Sequence, residues 1–314
     1  MRRLYEKNSF AGEGREKVGW VRRGIRSVRR GIELVARFEP IRRVLFEYYD
    51  KTSMHLAPAH PFDNQYGIRT SGFLPGSVLR LGYSVRKTTA YVGYLGASPS
   101  VIRRALNILP HHNDATFLDL GCGKGRALVV ASEFPFRSVI GVEISPELVK
   151  VAKANAQVVA QNLPERTPIT VVNGNAFDYA LPEGNLTIFL YNPFGEDVIR
   201  RLLTNIETSL PKRDSSIWVV YTNPVWGHIF DTSSTLSRIY AESIPYDPGE
   251  IGFDSPRRRA ADIMRVILRK PSKRPDSEVA IIWQDAKSAS VNVPKGVDRG
   301  IVVTNCGMRA ELAD

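Results

Sequence analysis

The nonapeptide Phe117-Leu118-Asp119-Leu120-Gly121-Cys122-Gly123-Lys124-Gly125 constrains this chain more than any other segment. An apolar run ends on an acid and then breaks into three glycines at alternate positions. Eighteen residues past Gly125, a second apolar run (Ser138 to Val142) ends on Glu143. The pattern predicts a strand, a tight glycine loop, a helix and a second strand with an acid at its carboxyl end. Open α/β sheets bind a nucleoside in the crevice beyond such strand tips.

Glycine spacing separates the candidate nucleosides. A dinucleotide fingerprint G-x-G-x-x-G starting at Gly121 needs a third glycine where the chain has Arg126, and one starting at Gly123 needs it where the chain has Leu128. A phosphate-binding P-loop fails too, because no Gly-Lys-Ser/Thr follows at the required distance. What remains is D-x-G-x-G-x-G, which resembles the first motif of the class I, Rossmann-like S-adenosylmethionine-dependent methyltransferases. The resemblance implies an α/β fold: a Rossmann-like seven-stranded sheet with helices on both faces. The implied cofactor is S-adenosyl-L-methionine. Gly121, Gly123 and Gly125 then let the backbone approach its methionine part, Asp119 helps hold its amino end, and Glu143 accepts both ribose hydroxyls. A carboxylate suits the last role because two acceptor oxygens match two vicinal donors.

Two further segments fall where the resemblance requires them. Residues 169 to 177 form a β-rich run ending near Asn175 and Ala176. Here the family usually has an aspartate that accepts from the adenine amino group. An amide can pair with an adenine edge, but an asparagine after Gly174 is equally readable as a turn residue. Residues 186 to 194 give a buried strand ending on Asn192-Pro193-Phe194-Gly195. This tetrapeptide is similar to the Asn/Asp-Pro-Pro-Tyr/Phe motif of the amino-methylating branch, with the second proline absent. By that likeness Asn192, Pro193 and Phe194 are the catalytic candidates, and Asn192 also borders the cofactor. The oxygens of the Asn192 side chain and the Pro193 backbone can accept from a nitrogen nucleophile, while the Phe194 ring can cover a cationic methyl or the substrate chain. Proline biases Asn192 toward an extended backbone. Taken alone, Asn-Pro is a common turn initiator.

Composition excludes several other classes. No apolar run reaches the ~18 residues of a membrane-spanning helix, and Met1-Arg2-Arg3 leads into polar sequence rather than a secretory core. Two cysteines, Cys122 and Cys306, do not make a disulfide framework, so a reducing cytoplasm is expected. Cys122 reads as a small residue in a tight turn. The five histidines show no ligand spacing, and no metal is expected.

The net charge of +11 is unevenly placed. Residues 1 to 43 hold 13 Lys or Arg and 5 Glu, a net of +8, which leaves +3 for the remaining 271 residues. Within this arm Val21, Ile25, Val28, Ile32 and Val35 form a helical stripe, and arginines occupy the other faces. The stripe is expected to pack on the core. A membrane-surface helix or a weak anionic membrane or RNA contact through residues 18 to 43 is the competing expectation, with a peripheral place at a membrane.

The predicted organisation has four parts. Residues 1–50 form a basic amphipathic helical extension and residues 51–90 a loop-rich cap at the substrate entrance. Residues 91–270 form the methyltransferase domain, and 271–314 a C-terminal edge strand and tail. Ser98-Pro99 caps a helix toward Leu109; Tyr91 and Tyr94 lie just before it, within reach of the cofactor if not taken up by the core. Glu196 to Leu210 reads as a helix and Ile217 to Tyr221 as a strand. Residues 236 to 243 and 263 to 269 read as a closing antiparallel hairpin whose loop carries Arg257-Arg258-Arg259, with Val279 to Trp283 as an added edge strand. The implied activity is in-line transfer of a methyl group to a nitrogen acceptor, a protein lysine or another amine. RNA-base or small-molecule methylation is the alternative within the class. Outside the class stands a non-catalytic S-adenosylmethionine-binding protein attached by its basic arm.

Overall fold

The computed structural model describes residues 38–55, 59–74, 79, 93–110, 112–212, 214–253 and 277–285. In chain order these give α1 (Glu39–His55), α2 (Pro61–Tyr66), α3 (Pro99–Leu106), β1 (Ala115–Leu120), α4 (Arg126–Ala131), β2 (Ser138–Glu143), α5 (Pro146–Asn162), β3 (Ile169–Asn173), β4 (Asn185–Tyr191), α6 (Glu196–Ser209), β5 (Ile217–Thr222), β6 (Leu236–Pro245) and β7 (Ser277–Asp285).

The strands form one seven-stranded sheet in the order β3-β2-β1-β4-β5-β7-β6. β1 to β5 pair in parallel, and β7 runs antiparallel to both β5 and β6. β1 and β5 are buried at every position, as strands covered on both faces must be; hence their unbroken apolar runs. The cover on one face is α3, α4 and α5, packed with Val101, Ile102, Leu128, Val149 and Ala152. On the other it is α6, packed with Val198, Ile199, Leu202 and Ile206. The Rossmann-like sheet with helices on both faces is therefore present. Strand order reverses between β1 and β4, so the crevice for a ligand opens beyond their carboxyl ends.

Three expectations need correction. Val279 to Trp283 is not an edge strand: β7 lies between β5 and β6, with Ala280 to Asp285 all buried. Five consecutive apolar residues mark a strand covered on both faces rather than an edge. The sheet consequently runs past residue 270 to Asp285, and the closing hairpin is β6 with β7. The segment 263 to 269 and Arg257-Arg258-Arg259 lie outside the described residues, as do Tyr91, Cys306 and the Val21 to Val35 stripe.

Second, the boundary at residue 50 falls inside α1, which continues to His55. The 51–90 segment contributes α2 and a buried polar network rather than loops alone. Third, Ser98 precedes α3 as expected, yet its side chain makes no capping bond to the helix. Glu250, from the turn Pro248–Glu250 after β6, instead accepts from the Ser100 backbone N–H (3.0 Å), the Ser100 hydroxyl (2.6 Å) and the Ser98 hydroxyl. A carboxylate at that end satisfies orphan donors and complements the helix dipole.

Candidate functional site

The glycine loop takes the conformation its composition allows. Gly121 (φ 86°), Gly123 (φ 56°) and Gly125 (φ 83°) all lie in the left-handed region, where a side chain costs energy. Space reinforces the requirement. A Cβ on Gly121 would meet Pro193 Cβ at 2.9 Å, and one on Gly123 would meet the Tyr94 ring at 2.3 Å. Backbone N–H groups of Gly121 and Cys122 donate to Val142 O at 2.9 and 3.1 Å, which ties the loop to β2.

The two acids stand at the ends of β1 and β2, as the sequence predicts. Glu143 is buried; Oε2 accepts from the Gly123 N–H and Oε1 from the Ser145 N–H, both at 2.9 Å. A carboxylate so held at the strand tip is an acceptor fixed in place for a diol. Asp119 is 4 % exposed, and no donor among the described residues reaches its carboxylate. Burial, and then the charge of Glu143, hold the Asp119 carboxyl well above the usual carboxylate range. A cation placed there removes that penalty. Cys122 is buried, and burial together with Asp119 and Glu143 pushes its thiol up, so it is packing and not a nucleophile.

Pro193, which follows Asn192, lies directly over Gly121 at the reversal point of the sheet. Asn192 is buried, and the Tyr221 hydroxyl donates to its Oδ1 at 3.5 Å. Its backbone is not extended as proline would favour. At φ 40° it is left-handed, and Asn223, which precedes Pro224 after β5, repeats the device at φ 48°. Asparagine tolerates this region better than other side chains. Strain held at the mouth of a crevice accompanies function. Phe194 departs from expectation: it is 4 % exposed and packed in the core, its ring 5.7 Å from that of Phe177. The apolar face of α6 claims it, so it supports the loop instead of covering a substrate.

Asn175 follows the turn reading. Its Oδ1 accepts from the Phe177 N–H at 3.2 Å and its Nδ2 donates to Asp178 at 2.9 Å, the pattern of an Asx turn. Ala176 is buried against the core beside it. These contacts use one acceptor and one donor position of the amide that the resemblance assigns to adenine.

The largest addition is the set of buried polar contacts by which the expected cap is held on the glycine loop. Lys124, fully buried in the glycine loop, donates to Asp50 Oδ1 of α1 (2.6 Å) and to Ser71 O (2.7 Å). Burial lowers its pKa, and Asp50 opposes that shift. Arg126 Nε donates to Thr70 Oγ1 at 2.6 Å, and the Tyr94 hydroxyl donates to Thr70 O. Asp63 of α2 accepts from the Thr70 and Ser71 N–H groups, both at 2.7 Å. Asn155 of α5 binds Arg69 from both ends of its amide and also donates to Lys124 O at 2.9 Å. Residues 69 to 71 are thereby fixed over the glycine loop, with Tyr94 against Gly123. The one available signal was two cations, Lys124 and Arg126, flanking the last glycine of a loop between buried elements. Their partners lie 74 and 56 residues upstream.

No group of three or more His, Cys, Asp or Glu among the described residues is placed to hold a metal. No described helix is long and apolar enough to cross a membrane.

Part of the chain is similar to known proteins. A family described as "Methyltransferase domain" matches residues 111–164, from the approach to β1 through α5. A protein-lysine N-methyltransferase of Saccharolobus islandicus (strain REY15A) is 32% identical over 112 residues, covering 34% of this chain and 65% of the relative. The chain thus spans somewhat under two thirds of the length of that relative. Among solved structures, an RNA methyltransferase from Salinibacter ruber in complex with S-adenosyl-L-homocysteine aligns over 65% of this chain and 97% of its own, at 17% identity and a TM-score of 0.35. Precorrin-6y C5,15-methyltransferase from Geobacter metallireducens GS-15 aligns over 65% and 98%, at 14% identity and 0.39.

The sheet order and the glycine loop between two terminal acids define a Rossmann-like fold with a crevice suited to a nucleoside. Its glycine loop and strand-end acids resemble those of the class I, Rossmann-like S-adenosylmethionine-dependent methyltransferases, and residues 111–164 match the methyltransferase-domain family.

Proposed function

We propose that this chain transfers a methyl group from S-adenosyl-L-methionine to a nitrogen acceptor, first of all the side-chain amine of a protein lysine. The single observation that carries the reading is the placement of Pro193, which follows Asn192, against Gly121, at the mouth of the crevice. The naming of the Saccharolobus relative as a protein-lysine N-methyltransferase supports it.

The residues present fit the cofactor. Asp119 offers a buried carboxylate suited to the ammonium end; Glu143 stands at the tip of β2, held by backbone N–H groups, in place for the ribose hydroxyls. At Gly121 and Gly123 a Cβ would meet Pro193 and the Tyr94 ring, so only glycine lets these groups close on the loop backbone. When bound, the cofactor supplies a methyl carbon made electrophilic by its sulfonium. The side-chain oxygen of Asn192 and the backbone oxygen of Pro193 accept from the acceptor nitrogen and direct its lone pair. Such a step needs no metal and no strong acid; its demand is orientation, with reacting atoms about 3 to 3.5 Å apart. The cap over residues 69 to 71 keeps water from that region.

A cytoplasmic location, and contact of the basic arm with an anionic membrane or RNA through residues 18 to 43, belong to the same proposal. The location rests on the presence of only two cysteines, and the contact on the arm's net charge of +8. The test is incubation of the protein with methyl-labelled cofactor and a lysate, followed by acid hydrolysis and amino-acid analysis. Label in methylated lysine is the expected result. Label confined to RNA or to ester linkages would sink the protein-lysine reading.

A further inference from the structure

One buried acid has no part in the cofactor site. Glu278 stands near the start of β7, paired with Ile244 of β6. Tyr191, Thr222 and Ala280 are aligned across β4, β5 and β7 and share one face. Glu278 lies two residues from Ala280, on that same face, and β7 is antiparallel to β5. It therefore projects one step further toward the carboxyl ends of the parallel strands, where the crevice opens. Tyr191, its neighbour in space, immediately precedes Asn192.

Glu278 is 8 % exposed. The Tyr191 hydroxyl approaches its carboxylate as a hydrogen-bond donor, yet Oε2 is buried with no partner among the described residues. No described cation forms an ion pair with it. The other ionisable groups whose fields meet here are Tyr246, just past β6, and Glu250 in the following turn, neither of them a cation. Glu250 is committed to Ser98 and Ser100 at the start of α3. A buried carboxylate with an unused oxygen and no counter-charge is costly for a fold to keep. A cation brought by a ligand is the partner this arrangement lacks.

We infer that Glu278 receives the acceptor's ammonium group: the carboxylate binds the cationic amine next to Asn192 and takes one proton from it before methyl transfer. The inference rests on the nitrogen-acceptor reading above. An ammonium has no lone pair, so an amine that arrives as R–NH3+ must lose a proton first. Glu278 accepts that proton and becomes the neutral acid, leaving R–NH2 hydrogen-bonded to Asn192. The nitrogen lone pair then forms the N–C bond as the C–S bond breaks, giving R–NH2–CH3+ and the neutral thioether. Glu278 returns its proton to solvent after the product leaves. Burial pushes the Glu278 carboxyl up to about 8, and the Tyr191 bond offsets this only in part. Such a group shares a proton with a desolvated amine more evenly than an ordinary carboxylate does. Tyr191 is the positioning residue, holding the carboxylate by its hydroxyl.

The experiment compares wild type with Glu278→Gln, which keeps shape and removes the charge. Calorimetry of N-acetyl-lysine methylamide into the S-adenosylhomocysteine-loaded protein is expected to give saturable binding, at least tenfold weaker in E278Q and absent with the Nε-acetylated probe. Affinity for S-adenosylhomocysteine itself should stay within about twofold, and the melting temperature should not fall. With labelled cofactor, methylation of the same probe by wild type should lose rate as pH falls below about 8, and E278Q should have lost most of the rate. Absence of saturable binding, or binding within twofold in E278Q, overturns the inference. Methyl-lysine formed at an unchanged rate in E278Q overturns it while leaving the nitrogen-acceptor reading intact. Label found only on oxygen or RNA removes both.

Discussion

Lys124 Nζ lies 2.6 Å from Asp50 Oδ1, with both side chains buried, so the cofactor loop and a helix that begins at Glu39 are joined by an ion pair. Removing one member leaves the other charge uncompensated, which costs roughly 3 to 5 kcal/mol at a buried site. Asp50→Ala is expected to lower stability by that order and to weaken cofactor binding as residues 69 to 71 loosen. Chemical denaturation with and without S-adenosylhomocysteine measures both. A variant as stable as wild type would show that the pair does not bind the cap to the sheet.

Asp119 should make cofactor binding pH-dependent. Its carboxyl is held up in the free protein, chiefly by burial and further by Glu143. The cofactor's ammonium favours the charged form and lowers it. Below the raised pKa the free protein must give up a proton to bind, so affinity is expected to fall by up to about tenfold per pH unit on acidification, and to level off above it. Titration of S-adenosylhomocysteine across pH checks this; Asp119→Asn should flatten the dependence and bind weakly throughout.

Glu143→Ala should weaken the cofactor at least tenfold. Two hydrogen bonds to a charged acceptor are worth about 1.5 to 3 kcal/mol each. The side chain also fixes the Gly123 and Ser145 N–H groups, so part of the loss comes through the loop. Unchanged affinity in a folded variant would rule out the ribose role.

Asn192→Gly separates strain from chemistry. The residue sits at φ 40°, where glycine carries no side-chain penalty. The variant is expected to melt no lower than wild type and to bind cofactor within a few fold, while turnover on a methyl acceptor drops about a hundredfold. Turnover close to wild type would dismiss Asn192 as the orienting group.

Glu278 links the fold to pH as well. Its carboxyl moves from an ordinary value of 4.5 to about 8 on folding, so the folded protein binds that proton more tightly. The associated stability is present at acidic pH and is lost as pH rises through the interval from 4.5 to about 8. Thermal melts of E278Q should show a shallower decline over that interval. Parallel curves for the two proteins would contradict the burial of an ionisable group there.

The cofactor half of the site was legible because local rules write it. Three glycines at alternate positions can serve only a loop of left-handed residues, and an acid that closes an apolar strand stands at the strand's tip whatever surrounds it. The same holds for the parallel strands, whose unbroken apolar runs report burial on both faces. Asn192-Pro193 was likewise visible, though not its backbone, which the packing of Pro193 on Gly121 accompanies in a region proline alone disfavours.

Tertiary structure decided what depends on partners distant along the chain. Val279 to Trp283 became an interior strand because the gap between β5 and β6 is where its two apolar faces are both covered. Phe194 is buried in the core around α6 while its ring still reaches Gly121 of the glycine loop, a double placement that only the fold reveals. Lys124, Arg126 and Glu278 gained their meaning the same way. A charge in a sequence reads as solvated, and only the fold, by removing water around it, makes its partner, or the lack of one, matter.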